Sequence, residues 1–216
     1  MLSLSRPLAI ALLAGTLLLG GGAAFHPMLP ADVPGQLKLI AATWYFRPVH
    51  LAMLAGSALL IAGVWSRGLA TSERDPSLVM ALALICLGLC FNAIDIAFMG
   101  NAGWHMATEF QAGDASVAPL FEAFHRVGLT TARFGNTLVA LGALTLGFVE
   151  RNDPSRPRWL AWLAWLAAAG GLLAAVFVPE SSLLTLTAVT LIPAWCVGTA
   201  VWALRGERSS VAGTSR

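Results

Sequence analysis

Apolar residues along this chain form six long runs that are separated by shorter polar segments. Each run is close to the roughly 20 residues that a helix needs to cross the hydrocarbon core of a bilayer. The pattern therefore predicts an all-α, polytopic membrane bundle in which residues 1–216 form a single integral membrane domain. The six predicted transmembrane helices cover residues 7–25, 48–66, 77–99, 124–149, 158–178 and 182–204.

The polar segments between these runs alternate in charge. Arg6, the two connections SRGLATSERDP and ERNDPSRPR, and the tail RGERSSVAGTSR carry most of the basic residues and would lie on one side. Because basic connections remain in the cytoplasm, both termini are predicted to be cytoplasmic, in a bacterial inner (cytoplasmic) membrane. The first run also resembles a signal peptide with cleavage near Ala24. An uncleaved helix is favoured because the run is long for a signal core.

Composition limits the classes of partner. Only 11% of the residues are charged and 57% are hydrophobic, whereas a soluble domain has about 25% charged residues. The bilayer is therefore the expected solvent for most of the chain. A net charge of +2 with a single lysine, Lys38, gives no electrostatic basis for binding nucleic acid. The three cysteines lie inside apolar runs and predict no disulfide framework.

Polar residues recur at helical spacing in the predicted outer half of the bundle, which also holds all four histidines. A polar stripe that faced lipid would be costly, so these stripes are expected to turn inward and form a pocket. Short connections at residues 26–47 and 100–121 would cap it. The stripes consist of His50 and Met53 in the second helix, Asn92 and Asp95 in the third, and Glu122, His125, Arg133 and Asn136 in the fourth, with His26 at the end of the first helix and His105 and Glu109 in the second cap.

Histidine in such a pocket indicates metal chemistry. Imidazole is a good ligand for zinc, copper and iron, and thioether sulfur selects copper(I). The leading hypothesis is a transition metal (copper, zinc or iron) bound first by His50 and His125. The next candidate ligands are His105, His26 and Glu122. Haem held between His50 and His125 is the second form of this hypothesis, and redox chemistry is compatible with either form.

Two other classes of function stay open. Asp95 and Arg133 are predicted to pair inside the bilayer, and Arg133 could instead hold a small anion or metabolite, with Asn92, Asn136, Glu109 and Met53 around it. Alternatively, the chain is a cofactor-free accessory or assembly subunit whose partners are other membrane proteins or a second copy of itself. No HExxH, GxSxG or Walker motif is present, so whether the chain is an enzyme stays open.

The last part of the chain contains two tryptophan-rich patterns, PRWLAWLAWLAAAGGLLAAVFVP and PAWCVGTAVWALRGE. Over roughly residues 120–207 the chain resembles an uncharacterised family of bacterial six-helix integral membrane proteins known as a domain of unknown function. The resemblance implies six helices. It implies no activity and no site residue.

Overall fold

The computed structural model describes residues 6–69, 75–176 and 190–213, and these residues are helical apart from short connections. No β-strand occurs within those three ranges. A π-helical turn, Met99–Gly103, joins α4 directly to α5. The helices are α1 (Arg6–Phe25), α2 (Val33–Ala42), α3 (Phe46–Leu69), α4 (Pro76–Phe98), α5 (Trp104–Gln111), α6 (Val117–Asn152), α7 (Trp159–Val176) and α8 (Ala194–Gly213).

Four helical stretches are long and apolar enough to cross a membrane, which identifies an all-α, multi-pass membrane protein. These stretches are Phe46–Ser66, Pro76–Gln111, Val117–Asn152 and Trp159–Val176, and they coincide with the second to fifth predicted helices. In α1 the apolar stretch is shorter, Ala9–Phe25. The first third of the sixth predicted helix, up to residue 189, lies outside the described residues.

The two segments that were predicted to be connections are largely helical. Residues 26–47 contain α2, and residues 100–121 contain the π-helical turn, α5 and the beginning of α6. His105 and Glu109, in the second of these connections, lie in α5, which follows α4 through the π-helical turn. α6 begins at Val117 instead of residue 124, so Glu122 lies well inside a helix.

Glycines bring α4 and α6 into backbone contact in the middle of the bundle. A Cβ atom added at Gly88 would lie 2.5 Å from the Gly135 carbonyl oxygen, and one added at Gly135 would lie 2.6 Å from the Gly88 carbonyl oxygen. Further along, Gly142 approaches Ala81, which shows that the two helices are antiparallel. Small residues allow such close approach in membrane bundles, where packing and not the hydrophobic effect drives helix association.

α1 and α3 pack by the same principle. A Cβ atom at Gly15 would lie 2.9 Å from the Gly56 carbonyl oxygen, and Gly63 meets Leu12, so these helices are also antiparallel. α7 packs against α6 and α8, and α8 returns to α1. Consecutive long helices therefore alternate in direction, and the C-termini of α1, α4 and α7 lie at the same end of the bundle.

That end is closed by α2 and α5. The side chain of Asp32 caps α2 by accepting a hydrogen bond from the Gly35 N–H at 2.7 Å. A compact apolar cluster then joins α2, α5 and the first turns of α3 and α6. Its buried members are Leu29, Leu37, Ile40, Phe46, Met99, Ala107 and Phe121.

The opposite end is fastened by a buried ion pair. Glu150, in the last turns of α6, accepts hydrogen bonds from the Nε and Nη2 atoms of Arg156, each at 2.7 Å. The side chains of Glu150 and Arg156 are 1% and 4% exposed. The Arg156 guanidinium also lies 4.3 Å from the centre of the Trp202 ring in α8. This cluster connects α6, the α6–α7 connection and α8.

Pro193 interrupts the helix in the last apolar run. Residues 190 and 191 are helical, a turn follows at Ile192 and Pro193, and α8 begins at Ala194. Proline cannot donate a backbone hydrogen bond and crowds the preceding turn, which explains the interruption.

Candidate functional site

A cavity of about 210 Å³ lies at the capped end of the bundle. Most of its lining surface is apolar, and the polar groups come from α3, α4, α6 and the residues just after α1. Eight of the polar or sulfur-bearing residues singled out from sequence line this single cavity. They are His26, His50, Met53, Asn92, Asp95, His125, Arg133 and Asn136.

The other three predicted site residues do not line the cavity. His105 is exposed and stacks edge-on against Trp104, with ring centroids 5.1 Å apart. Glu109 is exposed on the same short helix. Glu122 forms an ion pair with Arg126 one turn away on a solvent-accessible face. The suggestion that Glu122 acts with Arg133 or shares an ion with His125 therefore has no support in the geometry.

His50 is fixed by the first turn of α3. The sequence FRPVH places Pro48 where a helix tolerates it, in the first turn, and brings His50 one turn beyond Phe46. The His50 Nδ1 atom lies 2.8 Å from the Phe46 carbonyl oxygen, and the residue is only 3% exposed. Since a carbonyl oxygen only accepts, Nδ1 carries the proton in this hydrogen bond. The Nε2 lone pair is then available to a ligand.

His26 meets His50 from the end of α1. Pro27 disfavours continuation of the helix, and the His26 N–H reaches back to the Ala23 carbonyl oxygen at 3.3 Å. The His26 and His50 rings are 4.9 Å apart, centroid to centroid, and nearly perpendicular. The Phe46 ring packs against both imidazoles, 4.2 Å from His50 and 5.5 Å from His26. Two residues far apart in sequence thus form an imidazole pair.

The protonation of His26 follows from its surroundings. Burial lowers the pKa of His26 from its usual value of 6.5, and a hydrogen bond involving the Pro27 backbone opposes this change only in part. The neutral imidazole is therefore favoured. Only the neutral form offers a nitrogen lone pair to a metal ion.

His125 approaches the pair from α6. It is 7% exposed and packs against Phe121, one turn earlier, with ring centroids 5.2 Å apart. His26 lies within electrostatic range of both His125 and His50. Three of the four histidines therefore line one cavity, and the rings of His26 and His50 are in contact.

The deeper wall of the cavity joins α4 to α6 by polar contacts. The Asn92 Nδ2 atom donates a hydrogen bond to the Asn136 Oδ1 atom at 2.9 Å. The Asp95 carboxylate packs against Gly128, so a Cβ atom at residue 128 would clash with it. Asp95 and Arg133 both line the cavity, which is compatible with their predicted pairing.

The cavity can hold a small ligand by its nitrogen and sulfur atoms. Within residues 6–69, 75–176 and 190–213, no group of three or more His, Cys, Asp or Glu side chains is arranged to hold one metal ion. The donors used here are the imidazole pair, in which the two rings are in contact, and the Met53 thioether, which lines the cavity one turn beyond His50. The Phe46 carbonyl, which orients His50, was missed from sequence, although the i, i+4 spacing in FRPVH could have indicated it.

A comparison of the chain with known protein families, characterised protein sequences and solved structures gives no match, so the resemblance noted over residues 120–207 rests on its sequence patterns alone.

Proposed function

We propose that this chain binds a transition-metal ion in the cavity, through the imidazoles of His26 and His50, with His125 beside them. The observation that carries the proposal is the 4.9 Å separation of the His26 and His50 rings inside one cavity. The hydrogen bond from His50 Nδ1 to the Phe46 carbonyl adds support. Histidines that ligate metals almost always donate their other ring N–H to a carbonyl, a carboxylate or water.

The size of the cavity favours an ion over a macrocycle. Sites for organic ligands usually enclose about 300–1,000 Å³, and this cavity has about 210 Å³. A metal ion with a few water molecules fits this space better than haem. The haem hypothesis predicts a Soret band in the purified protein, and the metal-ion hypothesis predicts metal without that band.

We further propose six membrane crossings with both termini in the cytoplasm, which would open the cavity toward the outer face of a bacterial inner membrane. The distribution of arginines and the alternating helix directions support this orientation. An impermeant thiol reagent applied to intact cells tests it. Met28→Cys, at the capped end, is expected to be labelled, and Asp153→Cys, at the other end, to be protected until the cells are opened.

A second candidate function uses Arg133, which lines the cavity together with Asp95. In that case the ligand is a small anion or polar metabolite, and Arg133→Ala abolishes its binding to metal-free protein. A cofactor-free subunit of a membrane complex is the third candidate. It predicts that neither a metal nor a small anion binds.

Elemental analysis of gently purified, untagged protein, together with its visible spectrum, tests the metal proposal. About one copper, zinc or iron per chain is expected, and His26→Ala and His50→Ala should each lose most of it. His105→Ala is the matched control, because His105 is exposed and outside the cavity. Metal well below one per chain in the parent protein, or retention when both His26 and His50 are replaced, would overturn the proposal.

A further inference from the structure

We infer that the ion held in this cavity is copper(I), bound by the two imidazoles of His26 and His50 and by the thioether sulfur of Met53. This inference rests on the proposed metal site and identifies its ion. It follows from three features of the cavity: the number of donors, their charge and the position of the sulfur.

Although His26, His50 and His125 all line the cavity, few nitrogen and oxygen donors converge on one point. Structural zinc sites are almost always four-coordinate, and catalytic ones use three protein ligands and a water. The part of the chain that the structure describes has no such triad of His, Cys, Asp or Glu. Copper(I) is a soft monovalent ion that accepts two or three ligands, so an imidazole pair with one further soft ligand is sufficient for it.

The donors are also neutral. Imidazole and thioether carry no charge, and Asp95, the carboxylate in the lining, shares the cavity with the guanidinium of Arg133. The remaining lining is mostly aliphatic. The electrostatic cost of taking an ion out of water rises with the square of its charge, so a monovalent ion enters such a site at much lower cost than a divalent one.

The position of the sulfur supplies the third argument. Met53 follows His50 by three residues and lies on the same face of α3. Its side chain lies against Gly22 of α1, where an added Cβ atom would come within 3.2 Å of the Met53 sulfur. The absence of a side chain at Gly22 thus leaves space for the thioether between α1 and α3, the same two helices whose ends hold the imidazole pair. Thioether sulfur is a soft, neutral ligand, and it suits the soft copper(I) ion better than zinc(II), which is only borderline-soft.

Anaerobic titration with copper(I), against a coloured copper(I) chelator, measures the affinity, and parallel titrations with zinc(II) and cobalt(II) measure the selectivity. Met53→Leu removes the sulfur with little change in volume. It is expected to weaken copper(I) binding by about tenfold or more, since even the outer contacts of metal ligands contribute about 10–100-fold. Met80→Leu is the control, because Met80 is exposed on α4 and outside the cavity.

X-ray absorption of the copper-loaded protein separates ligation from a structural effect. A sulfur neighbour of copper is expected in the parent protein and in Met80→Leu, and it should disappear in Met53→Leu. If a metal binds but zinc(II) is preferred, or if Met53→Leu keeps both affinity and sulfur signal, the copper(I) assignment is wrong and the metal proposal stands. If no metal ion binds the parent protein, both are wrong.

Discussion

The chain contains two Glu–Arg ion pairs in and near α6, one buried and one exposed, and together they provide a controlled test of the fold. Replacing Glu150 with Leu leaves the Arg156 guanidinium 4% exposed and without its carboxylate. Breaking a buried pair in this way costs about 3–5 kcal/mol. Replacing Glu122 with Leu removes the partner of the solvent-accessible Arg126, and such pairs contribute only about 0.2–1 kcal/mol. The two variants should therefore differ by several kcal/mol.

The free energy of unfolding is measured by titrating protein in mild detergent with a denaturing detergent and following helical circular dichroism. A second variant, Glu150→Leu with Arg156→Met, removes both charges and should recover most of the loss, because two matched apolar residues leave no buried charge. Recovery should be incomplete by up to about 2 kcal/mol, the largest contribution expected from the contact between Arg156 and Trp202. Equal destabilisation by Glu150→Leu and Glu122→Leu would refute the conclusion that the Glu150–Arg156 pair stabilises the end of the bundle opposite α2 and α5.

Two further predictions concern the helix contact and the metal site. Gly88→Ala should destabilise the bundle by about 1–3 kcal/mol and weaken metal binding, because the new methyl group meets the Gly135 carbonyl. Gly20→Ala, with open space around it, is the control and should be neutral or stabilising by about 0.5–1 kcal/mol. Equal effects of the two variants in the same denaturation assay would contradict the contact between α4 and α6. Metal affinity should stay constant from pH 8 to about 6.5 and fall at lower pH, since protons compete for the imidazoles and burial keeps the pKa of His26 below 6.5. A loss already present between pH 8 and 7, measured by chelator competition, would contradict neutral histidine ligands.

Periodicity was sufficient to predict the four long apolar helices. Asn92, Asp95, Arg133 and Asn136 line the cavity because apolar and polar faces repeat at the helical period, and that period can be read from sequence. The placement of His105 could not be read in this way. The π-helical turn Met99–Gly103 changes the helical phase between α4 and α5, so a register extended from Asp95 no longer applies at His105.

The remaining differences arise where long-range contacts decide the outcome. Glu122 was grouped with His125 because they are three residues apart, but Arg126, four residues away, draws its carboxylate to the accessible face. The sequence places His26 among the second group of candidate ligands, after His50 and His125. Only the packing of α1 on α3 through Gly15 and Gly56 brings the His26 ring to His50. No local pattern encodes that distance.

The backbone contact between Gly88 and Gly135 also has a mechanical consequence. The contact acts as a pivot point, because α4 and α6 touch there without intervening side chains and can tilt about it more easily than they can separate. His125 lies ten residues from Gly135, which is about 15 Å along α6. A tilt of α6 by about 4° about this pivot point therefore moves His125 sideways by about 1 Å, given the distance of about 15 Å along the helix. Small rotations in the middle of the bundle are thus converted into displacements several times larger than the roughly 0.2 Å tolerance of metal–ligand distances.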